Sequence, residues 1–125
     1  MIVGTGVDIV ETSRVRSLLE KNRDRFLNRW YDAQEIDYCE SKTFPHLHLA
    51  ARLAAKEAVF KALRLPKGGP LYWKNIIVKN DEDGIPAIYL TGEPFFAAER
   101  QGITHLHLSI SHCIAYAIAT VTAER

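Results

Sequence analysis

Asp8, flanked by Val7 and Ile9, and the segment Arg52-Leu53-Ala54-Ala55-Lys56-Glu57-Ala58-Val59-Phe60-Lys61 put charged groups where their neighbours favour burial. A carboxylate or ammonium taken out of water is costly unless it is paired, bound to a metal or bound to a ligand. For Asp8, a divalent cation or an arginine would offset that cost. Glu57 and Lys61 stand one helical turn apart, and their plainest alternative is an exposed pair worth roughly 0.3 kcal/mol. The chemistry these residue types offer is electrostatic: carboxylates for a cation, and ammonium or guanidinium groups for an anion.

Two elements must position them. At about 100° per residue, Leu49, Leu53 and Phe60 form one helical stripe, and Ala51, Ala54, Ala55, Ala58 and Ala62 lie opposite. A helix apolar on two sides packs on two neighbours. Glu57 and Lys61 fall on one flank of the Leu/Phe stripe, with Arg52, Lys56 and Leu63 on the other. Pro45 marks where this helix starts, and it ends near Leu63. Asp8 belongs to Met1–Val10, a β-rich apolar run that reads as a buried strand. The run is too short to cross a membrane and lacks the basic start and cleavage site of a signal peptide. Gly4 and Gly6 weaken a strand, and the usual reason for such glycines is close approach of another backbone or a ligand. Asp8 stands somewhat early to cap the helix that Thr12 and Ser13 begin.

Tyr31–Cys39 reads as a short helix, and Pro66, Gly68, Gly69 and Pro70 as a loop. Trp73–Lys79 and Ile85–Leu90 read as strands joined through residues 80–84, whose acidic residues suit a hairpin turn better than a calcium loop because later ligand positions are missing. Thr91–Arg100 is helical, with Pro94 in its first turn and Gly102 as its stop. Thr104–Ser111 and Ile114–Thr122 are the last strands. In the first of them Leu106, Leu108 and Ile110 alternate with His105, His107, Ser109 and Ser111, so the two histidines share a polar, half-exposed face. No Cys/His spacing adds a third zinc ligand to them. His46 and His48 read as solvent-facing or lightly capping, whereas His112 ends a strand, where a turn could aim it into a cleft.

The 125 residues make one domain, 1–125, large enough for a core but small enough that a deep cleft calls for a partner subunit. A hydrophobic share of 47% with 25% charged residues is ordinary for a soluble globular protein and does not indicate disorder. Cys39 and Cys113 lie far apart without metal-ligand spacing, which reads as buried free thiols in a reducing cytoplasm. A net charge of +1 argues against a general nucleic-acid binder. The charge is unevenly spread. Arg14, Arg16, Lys21, Arg23, Arg25 and Arg29 face only Glu20 and Asp24 within residues 14–29, and the acidic Asp32, Glu35, Asp37 and Glu40 follow. If the helix from Ser13 runs unbroken, Arg14, Lys21 and Arg25 fall within about 40° of one another beside Leu18, which suits an acidic helical partner. Asn22 is the candidate break, and such runs are commonly solvated faces.

Gly6-Val7-Asp8-Ile9-Val10-Glu11, followed about fifty residues later by Leu53-Ala54-Ala55-Lys56-Glu57-Ala58-Val59-Phe60-Lys61, resembles the two signature motifs of the 4′-phosphopantetheinyl transferases, in the short form of the holo-[acyl-carrier-protein] synthase branch. Ser109-Ile110-Ser111-His112 and Tyr116-Ala117 continue the likeness. Three positions depart from it. Leu53 stands where that family usually has an aromatic residue, Cys113 where a small residue such as threonine is common, and Arg64-Leu65-Pro66-Lys67 precede the glycines that often follow the long helix directly.

The resemblance implies an α+β fold, a small antiparallel sheet packed on a long central helix, assembled as a homotrimer with active sites between subunits. It implies Mg²⁺ held by Asp8 and Glu57, and coenzyme A as co-substrate contacted by Lys61 and His112, with Arg52 and Lys56 as candidates for the nucleotide phosphates or for a neighbouring subunit. Glu57 and Lys61 would be catalytic. The reaction implied is transfer of the phosphopantetheine arm to a serine of an apo-acyl carrier protein docked on Arg14, Lys21 and Arg25, releasing adenosine 3′,5′-bisphosphate. Neither nucleic acid nor membrane is an expected partner. The competing reading, a non-catalytic module that binds an acidic protein or coenzyme A, would require neither Asp8 nor Glu57.

Overall fold

Residues 1–67 and 72–125 are described by a computed structural model, and the loop expected at Gly68, Gly69 and Pro70 lies outside them. In chain order the elements are β1 (Ile2–Glu11), α1 (Thr12–Trp30), α2 (Ala33–Glu40), α3 (Pro45–Ala62), β2 (Ile76–Asn80), β3 (Pro86–Leu90), α4 (Gly92–Arg100), β4 (His105–His112) and β5 (Tyr116–Glu124). The architecture is α+β. One antiparallel sheet runs β1-β5-β4, and β2 and β3 form a separate antiparallel pair. Among the described residues no helix is long and apolar enough to cross a membrane.

Alternation along β1 sets the relation of the sheet to α3. Gly4, Gly6, Asp8 and Val10 face inward, in register with the buried Ala123, Val121, Ala119 and Ala117 of β5. The alanine side of α3 packs on this face, and its Leu/Phe side meets α1, α2 and the segment before β2. A methyl group at Gly6 would stand 1.9 Å from the Ala58 carbonyl oxygen, and one at Gly4 would stand 2.2 Å from that of Ala62. Main chain therefore touches main chain here, and any side chain would push the strand off the helix. β1 is not buried on both faces as expected. Val7 and Ile9 are exposed, next to the exposed Ile118 and Tyr116 of β5.

α1 is broken at Asn22 (φ −159°, ψ 84°), where the expected interruption falls. The Asn22 side chain accepts the Arg25 backbone N–H at 3.2 Å and so starts the second half of the helix. The residue before α1 is Glu11, which caps with no side chain, and Asp8 takes no part. Trp73–Asn75, expected to open a strand, form a single 3₁₀ turn that stacks Trp73 on Trp30 at 4.4 Å, and β2 begins only at Ile76. The acidic turn after β2 is a hairpin in which Asp81 Oδ1 accepts the N–H groups of Asp83 and Ile85, with Gly84 at φ +77°. Gly102 at φ +70° ends the α4 turn, as read from the sequence. Cys39 is buried, and burial pushes its thiol up to about 11. Cys113 is exposed, which corrects the expectation of two buried thiols: it lies in the turn after β4, where no strand covers it.

Candidate active site

The glycine contact that seats β1 on α3 brings the next inward residue of the strand, Asp8, to Glu57 and Lys61. Lys61 Nζ donates to the Val7 carbonyl at 2.7 Å and to Asp8 Oδ1 at 3.3 Å. Asp8 Oδ2 is buried, with no hydrogen-bond partner among the described residues. Burial, then hydrogen bonding with Asp8 and its negative charge, push the Glu57 carboxyl up to about 7, while Arg14 and Lys61 pull it the other way. Two crowded carboxylates, one with an orphaned oxygen, are what a hard divalent cation would relieve. Among the described residues no third His, Cys, Asp or Glu joins them, so further ligands would come from water or phosphate. That donor set fits Mg²⁺, which commonly binds through one or two carboxylates and keeps several waters or phosphate oxygens.

The raised Glu57 value carries a pH dependence. Holding the carboxyl protonated favours the fold, so this contribution is fully present below the ordinary value of 4.5 and is lost as pH rises through about 7. Glu57→Gln is expected to flatten the metal-free melting temperature across that window. A variant with the wild-type slope would show that the Glu57 carboxyl is not the source of this pH dependence.

On the other flank of α3, Arg52 is 5% exposed, its guanidinium lies 4.3 Å from the Tyr38 ring centre, and its Nε has no partner among the described residues. Lys42 Nζ lies 4.6 Å from the centre of the same ring. His48, one turn before Arg52, meets Tyr38 edge-on at 6.2 Å and His112 at 5.6 Å. The structure thus gathers Arg52 and His112 into one cationic cluster. His48 joins them, which corrects the expectation that it faces solvent or caps the helix. The signal for it was its spacing of four from Arg52 on one helical face.

Lys56 takes no part in that cluster, and its candidacy for a phosphate is corrected. Its ammonium is fully buried and donates to Glu35 Oε1 at 2.7 Å, to the Trp73 carbonyl at 2.8 Å and to the Ile76 carbonyl. All three N–H bonds are thereby used. Glu35 in turn accepts the backbone N–H groups of Val78 and Asp32, both at 3.1 Å, and completes a capping box with Asp32 at the start of α2. Burial pushes Glu35 above and Lys56 below their ordinary values, and their mutual attraction opposes both shifts. The pair ties α2, α3 and β2 together.

The break at Asn22 does not scatter the basic residues of α1. Arg14, Lys21 and Arg25 line one groove of about 310 Å³ with Leu18, Phe26 and Trp30 as its apolar floor. The positive charge of Arg14, at one end of this stretch, acts on the Glu57 carboxyl and lowers its value.

Residues 4–121 match the family model described as the 4'-phosphopantetheinyl transferase superfamily. The chain is 40% identical over 124 residues to the holo-[acyl-carrier-protein] synthase of Syntrophus aciditrophicus (strain SB), covering 99% of this chain and 97% of that one. The crystal structure of holo-[acyl-carrier-protein] synthase from Neisseria meningitidis superposes with a TM-score of 0.88 at 33% identity, covering 100% of both chains. That of the Helicobacter pylori synthase in complex with coenzyme A superposes with a TM-score of 0.82 at 31% identity, covering 96% of this chain and 99% of that one.

Proposed function

This chain belongs to the 4'-phosphopantetheinyl transferase superfamily, and from that we infer that it moves the phosphopantetheine arm of coenzyme A to a serine of an apo-acyl carrier protein, releasing adenosine 3′,5′-bisphosphate. The observation that carries the reading is the buried Asp8 Oδ2, without a hydrogen-bond partner among the described residues, beside a Glu57 carboxyl whose value is raised. Such a transfer asks little covalent work of a protein and depends on positioning and charge neutralisation. Asp8 and Glu57 would hold Mg²⁺, which when bound offsets charge on the pyrophosphate. Lys61, already spanning Asp8 and the Val7 carbonyl, is placed to meet the same pyrophosphate and the departing bisphosphate. Arg52 and His112 contact the nucleotide end of the coenzyme.

We place all of residues 1–125 in one transferase domain, working in the cytoplasm as a homotrimer. Arg52 and Glu57 lie on different flanks of α3, which suits a coenzyme held between the carboxylates of one copy and the cationic cluster of its neighbour. The exposed Val7, Ile9, Tyr116 and Ile118 give one sheet face an apolar patch for that contact. Light scattering of the active protein should return three chains, and an active monomer at assay concentration would overturn the assembly.

The groove on α1 is the carrier-protein seat. Arg25→Glu should raise the KM for apo-carrier protein several-fold and leave that for coenzyme A nearly unchanged, because the side chain acts on encounter with an acidic helix. Added salt should weaken the wild type more than the variant. An unchanged carrier KM at low ionic strength would make this stretch a solvated face. The whole reading is tested by incubating the protein with coenzyme A, Mg²⁺ and an apo-carrier protein. The carrier's mass should rise by one phosphopantetheine group, and binding of coenzyme A without that gain would leave only a binding module.

A further inference from the structure

Lys42, His48, Arg52 and His112 gather around Tyr38, and among the described residues none of the four is paired with a carboxylate. Lys42 and Arg52 stand together without counter-charge, and Arg52 is buried with no partner for its Nε among the described residues, which is costly in the free protein. An anion of more than one charge would relieve them together. Resting on the transferase reading, the coenzyme's pyrophosphate is already assigned to the Asp8, Glu57 and Lys61 end. Its other anionic group, the phosphomonoester on the ribose, is left for this cluster. We propose that His48 is a further coenzyme-binding residue, which with Arg52 and His112 seats that phosphomonoester and takes up a proton as it does so.

The groups that face His48 are Tyr38 from α2, Lys42 from the α2–α3 connection, Arg52 from its own helix and His112 from β4. Burial, then the charges of His112, Arg52 and Lys42, hold its imidazole below the ordinary 6.5, so the ring is neutral near pH 7 in the free protein. An arriving phosphate dianion reverses the local field and favours the imidazolium, which then donates a charge-assisted hydrogen bond. By linkage, the part of the affinity that depends on His48 is greatest below its free-state value. It falls as pH rises through the window between the free and bound values, and levels above it.

The probes are adenosine 3′,5′-bisphosphate and adenosine 5′-monophosphate, titrated calorimetrically into the full chain in two buffers of different ionisation enthalpy. At about pH 7.5 the phosphates are themselves largely dianionic, their second pKa lying near 6. The bisphosphate should take up a substantial fraction of a proton per site and the monophosphate much less. His48→Phe, which keeps an aromatic ring between Tyr38 and His112, should abolish the difference and weaken the bisphosphate about tenfold, the loss expected for one charge-assisted hydrogen bond. His48→Gln, neutral at every pH yet able to donate, should recover part of the affinity and none of the proton uptake. Uptake that persists in both variants, or that is equal for the two nucleotides, would overturn the proposal. Carrier modification without this proton linkage would remove the role of His48 and leave the transferase reading standing. Absent carrier modification would remove the transferase reading, while the nucleotide titrations still report on the cluster.

Discussion

Asp8→Ala and Glu57→Ala are each expected to lower the turnover of carrier-protein modification about a thousandfold, the upper range for loss of one preorganised electrostatic contact. Neither change should unfold the chain. Among the described residues Asp8 Oδ2 has no hydrogen-bond partner to lose, the Lys61 contact to Asp8 Oδ1 is long at 3.3 Å, and removing either carboxyl takes away the mutual charge that adds to the Glu57 shift. Lys61 keeps the Val7 carbonyl in both variants. The measurement is carrier turnover at saturating Mg²⁺ beside a melting curve for each variant. Near-normal turnover in either would remove the paired-carboxylate metal site, and chelation should silence the wild type reversibly.

The second large effect falls on stability. Lys56→Met leaves Glu35 buried without its counter-charge and orphans the Trp73 and Ile76 carbonyls. Breaking one side of a buried pair typically costs about 3–5 kcal/mol, which for a chain of this size lowers the melting temperature by roughly 10–20 °C. Replacing both members by apolar residues often restores stability elsewhere. Here it should not, because the Glu35 carboxylate also satisfies the Val78 and Asp32 N–H groups. Denaturation of Lys56→Met, Glu35→Leu and the double variant decides the matter. A double variant as stable as the wild type would show that the backbone contacts contribute little.

The sequence made the elements legible wherever one residue dictates the backbone. Pro45 starts α3, Asn22 breaks α1, and Gly102 ends the α4 turn. It also marked Asp8, Glu57 and Lys61, because charges inside apolar runs must find a partner. What it concealed depends on contacts across the chain. Glu35 stood within an acidic stretch with nothing to single it out, and only the approach of Lys56, 21 residues away, makes it a buried anchor. Trp73 has the side chain of a strand residue, but its ring is claimed by Trp30 and Phe60 and its backbone turns instead. His48 stands four residues before Arg52, but its ring partners come from α2 and β4, so that spacing alone does not reveal the cluster. The outer face of β1 is apolar as well as the inner, which hid its exposure because alternation distinguishes two faces only when they differ in polarity.

The direct contact of β1 with α3 at Gly4 and Gly6 bears on how this protein can change over time. In most cores the gap between two elements is a sum of side-chain volumes, so each substitution shifts it and active-site groups mounted on the two sides drift apart. Here the spacing between the strand that carries Asp8 and the helix that carries Glu57 is fixed by carbonyl oxygens against a bare backbone. The distal wall of α3, where Leu49, Leu53 and Val59 are packed, is therefore free to exchange one apolar residue for another without retuning the catalytic pair. Tolerance to mutation and constancy of the site are separated, and two glycines mark the boundary between them.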